Sequence, residues 1–260
     1  MPDTVKPIHQ SADQGYTKSA DTYVQGRPDY PPQIMTWLTT TLDMRAGSRV
    51  TDLGAGTGKF TRYLQRTGAD ITAVEPVASM REQLSSQVQG ITVVAGTAEN
   101  MPLQDASVDI VVCAQAFHWF ATEAALDEIH RVLRPGGRLA LVWNKRDTQS
   151  AWVRELDAIV NAYEADTPRF HTGQWRQAFP HRGFSSLQEQ RFPHGHTGTP
   201  ENVIINRTLS TSFIAALPEN EKRKVRNQVL SVIENSPELK NQSQVTFPYE
   251  TLAYWTVRQN

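Results

Sequence analysis

Short apolar runs of strand length fall at 49–53, 71–75, 91–95, 108–114 and 138–143 of this chain, and between them apolar residues recur at helical spacing near 59–67, 79–88 and 122–133. Phe60, Tyr63 and Leu64 mark the first of these helices, which Gly68 stops. Strand and helix in alternation predict a parallel, doubly wound α/β sheet. Ahead of this block, 16–42 reads as a strap carrying Tyr23, Arg27, Pro28 and Tyr30, leading into a helix through Ile34, Met35, Leu38 and Leu42. Behind it the pattern is less regular. A helix is expected over 152–163, an aromatic stretch with Phe170, Trp175 and Phe179 reads as a lid over the strand ends, and helices over 201–217 and 219–233 are parted by Pro218. Strands over 184–192 and 245–257 complete the chain. The segments divide as 1–46 (strap and helix), 47–146 (sheet core) and 147–260 (cap helices and the last two strands).

The chemistry concentrates where the first strand ends. Val50 to Glu75 runs VTDLGAGTGKFTRYLQRTGADITAVE. Gly54, Gly56 and Gly58 allow a sharp turn and leave the backbone open to a ligand. Glu75 closes the second strand twenty-one residues beyond Gly54, where an acid in an α/β sheet can accept both ribose hydroxyls of a nucleoside. A dinucleotide fingerprint would need glycine where Lys59 stands, and a phosphate-binding P-loop would need glycine at Leu53 and a hydroxyl at Phe60. Both departures remove a mechanical part, so nicotinamide chemistry and nucleotide hydrolysis are disfavoured. Because open α/β sheets bind ligands beyond the carboxyl ends of their strands, Gly54–Gly58, Glu75–Val77, Gly96–Glu99, Gln115–Trp119 and Asn144–Asp147 are the segments that would face a ligand. The LRPGG run from Leu133 to Gly137 reads as a tight turn before the fifth strand.

Composition narrows the partners. The chain has 260 residues and a formal net charge of −1, with Lys and Arg spread along it, so a nucleic-acid footprint is not expected. The basic run Glu221 to Arg226 reads as a solvated helix face. Cys113 stands alone, which rules out an internal disulfide, and His171, His194 and His196 lack carboxylate or cysteine partners at ligand spacing, so no metal site is expected. With no leader pattern and no apolar run of about twenty residues, a cytoplasmic protein that does not engage a membrane is the expectation.

Four blocks together, VTDLGAGTGKFT, AVEP with Met80, GTAENMPLQDASVDIVVCAQAFHWF and LRPGGRLALVWNKRD, resemble the class I S-adenosylmethionine-dependent methyltransferases, and within them the small-molecule group built on the type 11 methyltransferase domain. The resemblance covers about 100 residues. It implies a Rossmann-like doubly wound sheet of seven strands with the last antiparallel, and a helical cap. It also implies that Asp52, Gly54, Gly56 and Gly58 line the methionine and ribose part of S-adenosylmethionine, that Glu75 binds the ribose hydroxyls, and that Pro76 and Met80 pack on the adenine. Thr97, Ala98 and Glu99 would flank the base and Gln115 the methionine. Arg27 resembles a residue that holds the methionine carboxylate, while Tyr16 and Tyr23 would close over the sulfonium.

Members that methylate planar amino groups often carry an Asn/Asp-Pro-Pro-aromatic motif after the fourth strand. This chain has Gln115-Ala-Phe-His118 there, which points to a small-molecule acceptor instead. In-line methyl transfer needs alignment above all, and a base only where the acceptor must lose a proton. His118 is the candidate for that base or for a positioning role, with Tyr16 and Asn144 beside it at the reaction centre. Trp143 falls inside an apolar strand and reads as core. Two alternatives stay open: cyclisation of the cofactor's own methionine chain with release of methylthioadenosine, and a catalytically idle cofactor-binding module.

Overall fold

The computed structural model describes residues 28–260, so Tyr16, Tyr23, Arg27 and most of the expected strap lie outside the described residues. Seven strands, β1 (Arg49–Leu53), β2 (Asp70–Val74), β3 (Thr92–Val94), β4 (Val108–Ala114), β5 (Leu133–Arg146), β6 (Gln188–Gly198) and β7 (Val245–Val257), form one sheet in the order β3-β2-β1-β4-β5-β7-β6. The first five pair in parallel, with Asp52 opposite Ala73 on one side and Val112 on the other. The last strands run antiparallel, as the seven-stranded Rossmann-like expectation requires.

The central strands read as unbroken apolar runs because both of their faces are covered. Val111 and Cys113 on β4, with Leu139, Leu141 and Trp143 on β5, point into one core, while Ile110, Val112, Ala140 and Val142 point into the other. Helix α1 (Gln33–Thr36), continued by a π-turn over Trp37–Thr41, covers the second face with Ile34, Trp37 and Leu38. Helix α2 (Thr61–Gln65) adds Leu64. Helix α3 (Ala78–Gln87) places Leu84 against Ala73. Helix α4 (Glu123–Val132) covers the first face with Ala125, Leu126, Ile129 and Val132, at the spacing of one helical stripe. Thr122 caps it by accepting the Ala125 amide at 3.2 Å.

Three expectations shift. The LRPGG run is not a turn ahead of β5 but a bulge within it: Leu133 pairs with Val108 and Arg138 with Ile110, so five residues are spent where the partner spends two. The expected strand 184–192 appears as β6 at Gln188–Gly198, with Phe184 contributing only a bridge to Arg258. Most of β6 is exposed or half-buried, so it carries no apolar signature. The single helix expected over 201–217 is broken into a π-turn at Glu201–Asn206 and single turns at Arg207–Leu209 and Ser212–Ala215. The Ser210 hydroxyl donates to the Arg207 carbonyl at 2.9 Å at the break, in competition with the helix ladder.

The chain divides into two compact units. One gathers 30–145, 168–193 and 251–260; in it Trp175 is buried among Phe117, Trp143 and Tyr254. The other gathers 146–167 and 194–250. Its own core joins Trp152, Val153, Leu156 and Val160 of α5 (Ala151–Asn161) to Val225, Val229 and Val232 of α6 (Glu219–Asn235). The basic run on α6 is ion-paired, Lys222 to Glu219 at 2.9 Å, Lys224 to Glu221 at 2.8 Å and Arg226 to Glu201 at 2.8 Å. Among the described residues no helix is long and apolar enough to cross a membrane.

Candidate active site

Three loops at the carboxyl ends of β1, β2 and β4 are tied to one another. The amides of Gly54 and Ala55 both donate to the Val74 carbonyl, at 2.8 and 3.3 Å, which pins the glycine turn to the end of β2. The Glu75 carboxylate accepts the Gly56 amide at 2.9 Å through Oε2 and the Val77 amide at 2.9 Å through Oε1. Gly54 has φ +71, and a Cβ there would meet the Ala116 methyl at 2.7 Å. The turn can therefore sit against the loop after β4 only with glycine at this position. A Cβ on Gly56 would meet nothing nearer than the Met80 sulfur at 3.9 Å, so this backbone borders open space.

Buried acids line the same turn. Asp52 is 1% exposed, and its Oδ2 accepts the Thr61 hydroxyl at 2.6 Å. Its Oδ1 is buried and has no hydrogen-bond partner among the described residues. Burial pushes the Asp52 carboxyl up to about 7, with the Thr61 hydrogen bond opposing and the neighbouring Glu75 charge adding to the rise. Glu75, 4% exposed, is likewise raised by burial against the lowering pull of the Val77 and Gly56 amides. Cys113 is a free, fully buried thiol, raised well above its ordinary value by burial and then by Asp52.

The remaining candidates take distinct places. Pro76 precedes α3 and gives its carbonyl to the Arg81 guanidinium at 2.7 Å, while Met80 and Ala98 are buried. Thr97 to Asn100 is a tight turn closed by two backbone hydrogen bonds; the Thr97 hydroxyl is buried without a partner among the described residues, and Glu99 is exposed. Gln115, at the end of β4, has φ +61, a left-handed backbone that is uncommon away from glycine. Its amide is held by the Val142 carbonyl at 2.7 Å. Asn144 Oδ1 accepts the hydroxyl of Thr251 at 2.6 Å.

His118 sits half-buried on a 3₁₀ turn, Phe117–Trp119, and its Nδ1 accepts the indole N–H of Trp143 at 3.1 Å. Trp143 is core, 1% exposed, but it is also a polar partner. Residue spacing gave no sign of this pairing; the available signal was that a buried indole N–H seeks an acceptor. The Trp143 ring lies 4.7 Å from both Phe170 and Trp175.

These residues fit a nucleoside cofactor bearing cationic groups. Each Glu75 oxygen has spent one acceptor site on an amide and retains capacity for hydroxyl donors. Asp52 Oδ1 and the Thr97 hydroxyl are buried polar atoms awaiting partners, and Gly56 leaves room beside them. Away from this turn, and against the expectation that no such cluster forms, Glu123, Asp127 and His181 each bring a possible metal-ligand atom to within 4.8 Å of the others. The Gly183 amide donates to His181 Nδ1 at 3.1 Å, and His181 Nε2 lies 3.3 Å from Asp127. A cavity of about 310 Å³ opens at the other, amino ends of β1, β4 and β5, between Arg45, Asp109, Arg134 and Arg138. There Arg134 pairs with Asp109 and Arg138 donates to the Leu42 carbonyl.

Comparison with known proteins gives a consistent answer. Residues 51–141 match the model of a family described as a methyltransferase domain. An uncharacterized methyltransferase-like protein of Schizosaccharomyces pombe is 39% identical over 235 residues, 89% of this chain and 91% of its own length. An uncharacterized methyltransferase of Mycobacterium tuberculosis is 38% identical over 88% of this chain and 90% of its own. Among solved structures, the YcgJ protein of Bacillus subtilis matches with a TM-score of 0.54 at 21% identity, over 87% of this chain and 98% of that one. A Haemonchus contortus phosphoethanolamine N-methyltransferase, solved with S-adenosylhomocysteine, matches with a TM-score of 0.57 at 14% identity, over all of this chain and 62% of its own.

Proposed function

The chain belongs to the class I S-adenosylmethionine-dependent methyltransferases, and from that premise we propose that it transfers the cofactor's methyl group in line to a small-molecule acceptor beyond the carboxyl ends of β1 and β4. S-adenosylmethionine supplies an activated methyl on a sulfonium, so the protein's task is orientation. The observation that carries this reading is the bracing of the glycine turn by Glu75 through Gly56 and by the fit of Gly54 against Ala116, beside buried acceptors still able to take donors.

In this reading Asp52, Gly54, Gly56 and Gly58 hold the methionine and ribose side, and Glu75 takes the ribose hydroxyls. Pro76, Met80, Thr97, Ala98 and Glu99 surround the base, and Gln115 stands beside the methionine. The roles of holding the methionine carboxylate and facing the sulfonium fall, by the resemblance, to Arg27 and to Tyr16 and Tyr23. Asn144 contacts the acceptor, and His118 positions it or takes its proton. A small acceptor is supported by a net charge of −1 and by the ion pairing of the one dense basic run, which leave no electrostatic footprint for nucleic acid. Cyclisation of the cofactor has no support among the relatives, whose names are those of methyltransferases.

The test is mass spectrometry of the purified protein with S-adenosylmethionine, with and without a metabolite extract. S-adenosylhomocysteine formed only with extract is the expected result, and the acceptor is read from the added methyl mass. Methylthioadenosine formed from the cofactor alone would overturn the proposal.

A further inference from the structure

We propose that Arg131 of α4 holds the turn Thr97–Asn100 in the geometry that reads the cofactor's base, and so sets how strictly the site demands adenine. This rests on the reading of residues 97–99 given above. The turn is closed by the Thr97 and Asn100 amides, each donating to the other residue's carbonyl, at 3.2 and 3.3 Å. Ala98 is 4% exposed, yet its amide finds no acceptor among the described residues, and the buried Thr97 hydroxyl finds no partner there either. A buried N–H and a buried hydroxyl left over on neighbouring residues are what a polar ligand edge would satisfy. Adenine offers such an edge, an acceptor at N1 beside a 6-amino donor.

What fixes the turn lies on α4. On its β3 side the backbone is tied where the Glu75 amide donates to the Val94 carbonyl at 3.2 Å. On the other side, Arg131 spends all five of its N–H groups. Nε donates to Glu128 Oε2 at 2.7 Å, Nη2 to Glu128 Oε1 at 2.8 Å and to the Met101 carbonyl at 3.2 Å, and Nη1 to the Leu103 carbonyl at 2.8 Å and to Asp105 Oδ1 at 2.5 Å. Glu128 Oε1 in turn accepts the Met101 amide at 2.7 Å. Met101, the residue after the turn, is thus gripped at both its N–H and its C=O, and it is buried. A Cβ on Gly96, the residue before the turn, would meet Pro102 Cδ at 2.8 Å, so the two limbs of the loop lie against each other and share this anchor. A planar guanidinium fork can reach all of these acceptors; a lysine ammonium, with its donors at one point, cannot.

Selectivity follows from rigidity. Hypoxanthine, with a 6-oxo group, carries a hydrogen on N1, so a fixed amide that donates to adenine there meets an N–H instead, and a buried donor is left unpaired. A loosened turn can move away from that clash or bring another group to the base, and the preference shrinks. Arg131 is on this account a positioning residue acting through Met101 and the turn.

The deciding measurement is calorimetry with S-adenosylhomocysteine and with S-inosylhomocysteine, which differ only in the base. The parent should prefer the adenine form at least about tenfold. In Arg131→Lys and Arg131→Gln that ratio should fall to within about threefold of unity. A merely structural role would change both affinities together and leave the ratio where it was, so an unchanged ratio in the folded Arg131 variants overturns the inference. Thr122→Ala, which weakens the same helix at its cap, should keep the parent's ratio; an equal fall there overturns the inference by assigning the effect to α4 as a whole. Should both Arg131 variants fail to fold, Glu128→Gln decides. It keeps an acceptor for the Met101 amide but sets an amide NH₂ against the guanidinium, so its ratio should fall at least about threefold, and an unchanged ratio overturns the proposal. A parent that binds neither compound, or both equally, overturns the reading of residues 97–99 and this inference with it, whereas a discriminating parent with equally discriminating variants overturns the inference alone.

Discussion

Glu75 Oε2 lies 2.9 Å from the amide nitrogen of Gly56, while the other oxygen of the same carboxylate takes the amide of Val77. One buried acid thus ties the turn after β1 to the turn after β2. Hydrogen bonds to a charged acceptor contribute about 1.5–3 kcal/mol each. Glu75→Ala should therefore weaken S-adenosylmethionine binding at least about tenfold by calorimetry and lower the melting temperature as well. Unchanged affinity would remove Glu75 from the site.

Gly54→Ala should cost about 2–4 kcal/mol of stability, combining a left-handed backbone that alanine resists with a methyl driven toward Ala116. Thermal unfolding reads the loss. A variant as stable as the parent would mean that the loop after β4 can retreat from the turn.

Asp52 makes stability fall as pH rises. Its folded carboxyl sits at about 7 against an ordinary 3.8, so the unfolded chain gives up this proton first. The folded state is favoured in full below pH 4, and the advantage is lost progressively up to about pH 7, with a slope of at most about 1.4 kcal/mol per pH unit. Glu75 is shifted in the same direction and adds to the trend. Asp52→Asn should flatten the curve in denaturant titrations at pH 4.5 to 7.5; an undiminished slope would assign the effect elsewhere.

The same carboxyl couples pH to cofactor binding. A cationic ligand favours ionised Asp52, so affinity should rise as pH passes through about 7, with proton release on binding. Calorimetry in buffers of different ionisation enthalpy measures that proton. Asp52→Asn should abolish the release.

Thr122→Ala supplies a control away from the turn. Losing the cap on α4 should cost about 1 kcal/mol with cofactor affinity unchanged. A large drop in affinity would show that α4 and the loop before it shape the site.

How far the sequence carried depended on how local each cause is. Val108–Ala114 was legible as a strand because burial on both faces leaves an unbroken apolar run. Residues 133–137 misled because Pro135, Gly136 and Gly137 serve a bulge and a turn equally well, and only the partner strand decides between them. Gln188–Gly198 was displaced because an exposed strand has no apolar rhythm to betray it. At the candidate site, the spacing from Gly54 to Glu75 anticipated two loops that the fold does bring together. The pairing of Trp143 with His118 joins positions twenty-five apart through a single hydrogen bond, and Trp143 in an apolar strand looks like any other core residue.

Cys113 gives the chain a chemical clock. The lone thiol faces the core on β4, beside Asp52, and remains protonated there, so an alkylating reagent can reach it only after β4 has been uncovered. The rate of labelling then counts openings of the central strands, and a ligand that binds only the closed form slows the count in proportion to its occupancy. Stability and cofactor binding can both be timed this way with no residue of the protein substituted.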